Sequence, residues 1–204
     1  MGNFRGIPKG NKDPRGRFNV ALTIINGIHA KWKGETMRTK NLQGILNELK
    51  IMAECELTVA KFYATCAEIW SEDKEFWWSM ERQENQHAKI INMLAEAILK
   101  NSEDFELPRT FNPAAVRTMI TGIENNIRRV KSGEIQKNNA LFIARDIEQS
   151  LIEAKFGDKV KTDRYEYQGL ITDIVAQTMV HKDVIEKKID EMRYTTIRLT
   201  RIMS

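Results

Sequence analysis

The chain has 204 residues, 42% of them hydrophobic, which is room for one domain with a buried core and an appendage. Its net charge of +4 belongs to the N-terminus: residues 1–36 carry seven Lys or Arg against Asp13 and Glu35, while the remainder holds 25 basic and 26 acidic residues. The body lacks a basic stripe interleaved with aromatics, which excludes a nucleic-acid footprint, and no stretch offers the ~20 apolar residues of a membrane span.

Residues 1–36, rich in Gly, Arg, Lys and Asn, read as a basic, mobile extension, and residues 37–204 as the folded domain. Met37 stands where helical periodicity begins, which makes it an alternative start. A first long helix is expected from about Asn41 to Trp70, with the seam Leu46, Leu49, Ala53, Glu56, Ala60, Tyr63, Ala67, Trp70 in steps of three and four. Cys55 and Cys66 lie three turns apart on this helix, too far for a disulfide, so they read as free, buried thiols in a reducing, cytoplasmic setting. Ser71-Glu72-Asp73 breaks the helix and is suited to cap the next one.

The second helix, about 73–100, carries the seam Trp77, Met80, Glu84, His87, Ile91, Leu94, Ile98. A carboxylate and an imidazole thus stand within an apolar stripe, where burial is costly unless something pairs with them. Glu56 lies roughly 22 Å before the turn and Glu84 roughly 18 Å after it, at about 1.5 Å per residue, so the two carboxylates face each other in an antiparallel hairpin. Tyr63, two turns from Glu56 on the same face, reads as core packing with a phenol within reach of a ligand.

Pro108 and Pro113 mark a loop over 101–113, followed by an amphipathic helix over 113–131 that ends at Ser132-Gly133. Such a connector spans the height of a bundle, so the next helix need not be antiparallel to the second. The third core helix, about 134–157, has the seam Leu141, Ala144, Glu148, Leu151, Lys155 and closes at Phe156-Gly157-Asp158. The fourth, from about 164 to 192 or beyond, has the seam Tyr167, Leu170, Ile174, Gln177, His181, Val184. The second hairpin repeats the first, with a core Glu on one helix facing a His-bearing site on the next. This is the construction expected of an all-α, antiparallel four-helix bundle around a central metal site. A metal-free network would have to satisfy three carboxylates with neighbours such as Arg145 or Lys155.

Four segments carry a family resemblance: E-C-E-L-T-V-A-K-F-Y (54–63), E-N-Q-H-A (84–88), D-I-E-Q-S-L-I-E (146–153) and Q-T-M-V-H (177–181). Over about residues 41–192 the chain resembles the rubrerythrin-type members of the ferritin-like superfamily. The resemblance implies two helical hairpins joined by a long crossover with an extra short helix, and a diiron-carboxylate site. It implies metal ligation by Glu56, Glu84, His87, Glu148, Gln177 and His181, with Glu56, Glu84, Glu148 and Tyr63 as the residues of the chemistry. Gln177 stands where the family has a Glu, so one iron is expected to bind well and a second weakly, with manganese or zinc as other occupants. The expected activity is oxidoreductase chemistry on peroxide, oxygen or Fe(II). No Cys-x-x-Cys pair is present, so the rubredoxin-like domain is missing and electrons would come from an external donor protein. A homodimer or higher homo-oligomer is implied as well. The alternative left open is a non-catalytic scaffold or iron-handling module holding one metal or none, favoured by Gln177.

Overall fold

The computed structural model describes the backbone of residues 14–106, 113–154 and 160–202, and the side chains of 42–106, 113–154 and 160–194. Within these bounds the chain is built of five α-helices: α1 Pro14–Ile69, α2 Lys74–Lys100, α3 Pro113–Lys131, α4 Lys137–Glu153 and α5 Tyr165–Ile202. Two-residue strands, β1 Phe105–Glu106 and β2 Lys161–Thr162, pair antiparallel. The chain divides into residues 1–41 and residues 42–204, and α1 begins in the first unit and ends in the second. No helix among the described residues is long and apolar enough to cross a membrane.

Helix α1 starts well before the position its hydrophobic periodicity suggests. Pro14 suits a first helical turn, and no proline follows until Pro108 to stop the helix. The expectation that residues 1–36 form a mobile extension falls on 1–13, outside the described residues, and on 14–36, of which only the backbone is described. Helices α2 and α3 lie where spacing and prolines place them. Gly133, in the left-handed region at φ 79°, closes α3 as its amide hydrogen-bonds the Val130 carbonyl. The expected close of the next helix at Phe156-Gly157-Asp158, and Lys155 with it, lies outside the described residues.

Asp73 precedes α2 but makes no capping hydrogen bond. Its carboxylate instead accepts from Lys137 Nζ at 3.0 Å and Lys188 Nζ at 2.7 Å, tying the start of α4 and the later part of α5 to the α1–α2 turn. At the other end Arg164 pairs with Asp104 at 2.8 Å, and Thr162 Oγ1 donates to the Asp104 carbonyl at 2.7 Å, beside the β1–β2 pair. Helices α2 and α4 therefore lead away from the Asp73 end, and α5 leads back to it, with α3 returning the chain between α2 and α4.

The interior consists of two apolar clusters. One joins Phe62, Tyr63, Trp77, Met80, Leu141, Ile185 and Ile189 with Ile120, Ile123, Ile127 and Val130 of α3. The other joins Leu49, Ile91, Leu94, Ile98, Ile171 and Ile174 with Phe105 and Val160. Each fully buried Leu, Ile or Phe contributes about 1.5–3 kcal/mol relative to exposure. On α5 the inward face departs from the expected seam after His181. Val184 is 38% exposed while Ile185 is fully buried, because the seam advances by fours through His181, Ile185 and Ile189.

Candidate metal centre

Between the two apolar clusters lies a layer of ionisable side chains. Helix α1 supplies Glu56 and Tyr63, α2 supplies Glu84 and His87, α4 supplies Glu148, and α5 supplies His181, all of them buried. Each sits in a helical seam with apolar residues close by: Ala53 and Ala60 flank Glu56, Met80 and Ile91 flank the Glu84–His87 pair, Ala144 and Leu151 flank Glu148, and His181 has Ile185 one turn after it and Ile174 two turns before it. The flanking alanines keep the helices close and leave the longer acidic and imidazole groups to fill the space between them.

Glu84 is the centre of the layer. Its Oε2 lies 3.0 Å from His87 Nδ1, and its Oε1 lies 2.6 Å from His181 Nδ1. The two rings stack with centroids 5.3 Å apart and an interplanar angle of 23°. One ligating atom from each of Glu84, His87 and His181 falls within 4.8 Å of the other two. Glu148 Oε1 lies 3.8 Å from His181 Nδ1 and accepts a hydrogen bond from the Tyr63 hydroxyl at 2.5 Å. Glu56 stands against Glu84, close enough for the two carboxyls to share a proton. Gln177, expected as a ligand, is turned to the far side of His87, where its Oε1 lies 2.9 Å from Nε2. The layer thus brings together all seven residues singled out from the sequence, with Gln177 at the back of an imidazole.

Four atoms of this layer have no hydrogen-bond partner: Glu56 Oε2, Glu84 Oε1, Glu148 Oε2 and His181 Nδ1. The 2.6 Å approach of His181 to Glu84 is therefore a close contact of two polar atoms that are not aligned as donor and acceptor. Buried polar atoms are almost always paired, so four in one place mark a site that expects a further partner. Among the described residues no lysine or arginine pairs with the three buried carboxyls. Arg145, the nearest candidate by sequence, binds Asp146 at 2.7 Å.

The electrostatics follow from this crowding. Burial, then the neighbouring Glu84 and Glu148 charges, push the Glu56 carboxyl well above the usual carboxylate range. Burial and Glu84 do the same to Glu148, against the lowering effect of the Tyr63 hydroxyl. Burial opposes the charge on Glu84 too, but the two imidazoles outweigh it and hold Glu84 below the usual range. Burial lowers His87, yet Glu84 and then Gln177 outweigh it and raise its affinity for a proton. Burial and the adjacent carboxylates keep the Tyr63 phenol protonated. The Cys55 and Cys66 thiols are free, buried and pushed upward, chiefly by burial, so neither is a thiolate donor.

One carboxylate and two imidazoles, flanked by two further carboxyls, are a donor set that suits a divalent transition metal. The unpartnered atoms fit that requirement: a cation among them would satisfy polar atoms that no hydrogen bond satisfies.

Two residues at the site escaped the sequence reading. Gln83 places its Oε1 3.0 Å from His181 Nε2. Thr178 is buried and stands three residues before His181, as Glu84 stands three before His87, with its hydroxyl donating to the Ile174 carbonyl at 2.9 Å. The available signal was the spacing itself, since Gln83 precedes His87 by four residues and Gln177 precedes His181 by four. Comparison with models of known families, with curated proteins and with solved structures finds no match.

Proposed function

We propose that residues 42–204 form a ferritin-like four-helix bundle, with α1–α2 and α4–α5 as its hairpins and α3 in the crossover, whose polar layer binds a redox-active divalent metal. Iron is the first choice, because two imidazoles and a carboxylate with positions to spare suit Fe(II), while manganese and zinc fit the same donors. The observation that carries this reading is the convergence of Glu84, His87 and His181, buried and within ligating distance of one another. The rubrerythrin-like segments support the same assignment and extend it to an oxidoreductase acting on peroxide, oxygen or Fe(II), with electrons from an external donor protein.

When bound, the metal would supply the electrons and the Lewis acidity for such a reaction. The chain's own residues do the rest. Glu84 provides the negative charge that both imidazoles face, and Glu56 and Glu148, whose proton affinity burial raises in the metal-free protein, stand beside it. Tyr63 fixes the Glu148 carboxyl through Oε1 and leaves Oε2 for other use. The two apolar clusters close the layer from above and below and keep bulk water away.

The test is anaerobic loading with Fe(II) followed by one equivalent of hydrogen peroxide, monitored by stopped-flow absorbance. Oxidation at least tenfold faster than with the Glu84→Gln variant is expected. Equal rates would remove the enzyme reading. A second reading, a module that holds one metal without turning over, is favoured by the single Glu-x-x-His pair, since Thr178 occupies the corresponding place on α5. It predicts bound iron with no acceleration. Self-association belongs to the proposal as well, supported by the exposed Met179 and Val180 on α5, and sedimentation velocity on the full chain tests it.

A further inference from the structure

The sequence repeats a Gln-x-x-x-His element, Gln83 to His87 on α2 and Gln177 to His181 on α5. Four residues is one helical turn, so each Gln and its own His share a face of their helix. Neither Gln serves its own His. Gln83 of α2 reaches His181 of α5 at 3.0 Å, and Gln177 of α5 reaches His87 of α2 at 2.9 Å. In both contacts the amide oxygen meets Nε2, and in both rings Nδ1 is the nitrogen turned to Glu84. Each helix thus gives one imidazole to the layer and one amide that grips the other helix's imidazole.

We propose that Gln83 and Gln177 are a reciprocal pair of positioning residues that hold the Nε2–H of both imidazoles on amide oxygens and so leave both Nδ1 atoms, turned to Glu84, as the ligands of one cation. An amide oxygen is an acceptor only, so the ring nitrogen that meets it carries the hydrogen. A neutral imidazole has one N–H, and with Nε2 protonated the lone pair resides on Nδ1. Glu84 Oε2 is within hydrogen-bond reach of His87 Nδ1 at 3.0 Å, so in the metal-free protein that pair shares a proton, which a bound cation displaces. The clasp therefore orients two ligands for one cation, and it rests on the metal reading of the layer for that purpose. Gln177 acts behind His87 rather than on the metal, so the site takes a single ion. The groups facing the two rings support this division of labour: Glu84 from α2 and Glu148 from α4 on the Nδ1 side, with amide oxygens on the Nε2 side.

Long-range proton–nitrogen correlation NMR of the full chain labelled with nitrogen-15 reads the tautomers directly. It is recorded metal-free in alkaline solution and again with zinc. With zinc both rings are expected as Nε2–H with Nδ1 shifted by ligation, and in the metal-free protein His181, whose Nδ1 has no hydrogen-bond partner, is expected as Nε2–H already. Gln177→Leu should let the metal-free His87 settle as Nδ1–H on Glu84 and lower zinc affinity about 10- to 100-fold, the range for loss of a ligand's hydrogen-bond partner. Gln177→Glu keeps the acceptor and should retain the Nε2–H ring and a stoichiometry of one zinc. Gln83→Leu should release His181 in the same way, which keeps the test independent of the folding of any one variant. An Nδ1–H ring in the zinc-loaded wild type, an unchanged zinc affinity in both leucine variants, or a second zinc in Gln177→Glu would each overturn the clasp. A wild type that binds no zinc while His181 remains Nε2–H would overturn the metal reading and leave the grip of Gln83 on that ring standing.

Discussion

Glu84 is the residue on which the polar layer turns, since both imidazoles reach it and both neighbouring carboxyls yield to it. Glu84→Gln keeps the shape and removes the charge, and should weaken zinc binding by at least about 100-fold in isothermal titration, a change of about 2.7 kcal/mol. The second Glu-x-x-His pair is missing at Thr178, so Thr178→Glu is the change expected to raise zinc stoichiometry above one. Elemental analysis checks this, and an unchanged ratio in a folded variant would sink that register. The pH dependence has a definite sign. Glu56, Glu148 and His87 have raised folded values, so their contribution to stability is full at low pH and is lost as pH rises through those values. Glu84 is depressed and contributes in the opposite sense only as pH falls below the ordinary carboxylate range. From about pH 6 to about pH 8, above the free values of carboxylates and around that of histidine, the metal-free protein should lose stability, read as a falling urea midpoint. Saturating zinc should flatten that trend, because a cation displaces the same protons. Glu56, Glu84, His87, Glu148 and His181 were legible in the sequence because an ionisable group in an apolar seam stands out. Gln83 was not, because a glutamine one step off the seam looks like any surface residue until a partner helix is in place.

At the scale of the helices, the register of α5 carries the fold's clearest prediction. Ile185 is fully buried and Val184 lies at the edge, so Ile185→Ala should cost about 2–4 kcal/mol and Val184→Ala less than about 1 kcal/mol in urea denaturation. Equal costs would mean the seam follows the three-step through Val184. The sequence pattern leads to Val184 because steps of three and four fit equally well there, and only packing decides between them. Boundaries marked by prolines and glycine were legible, as α3 from Pro113 to Lys131 shows. The β1–β2 pair was not, since two residues are too few to show a period of two. The Asp73 junction was also hidden: the residue is suited to cap α2, yet two lysines from distant helices claim its carboxylate.

Over residues 42–204, four helices meet at a layer that is costly to bury and two apolar clusters that are favourable to bury. A cation in that layer would link α2 to α5 and neutralise charge that otherwise opposes closure. Ligand linkage then predicts added stability of about 4 kcal/mol at a free metal concentration a thousandfold above Kd. The measurement that bears most directly on this account is metal stoichiometry by equilibrium dialysis and elemental analysis of the full chain, wild type beside Glu84→Gln. One tightly held divalent ion per wild-type chain, lost in the variant with helicity intact, is the predicted result. A folded wild type that retains no ion, or a variant that retains as much as the wild type, would contradict it.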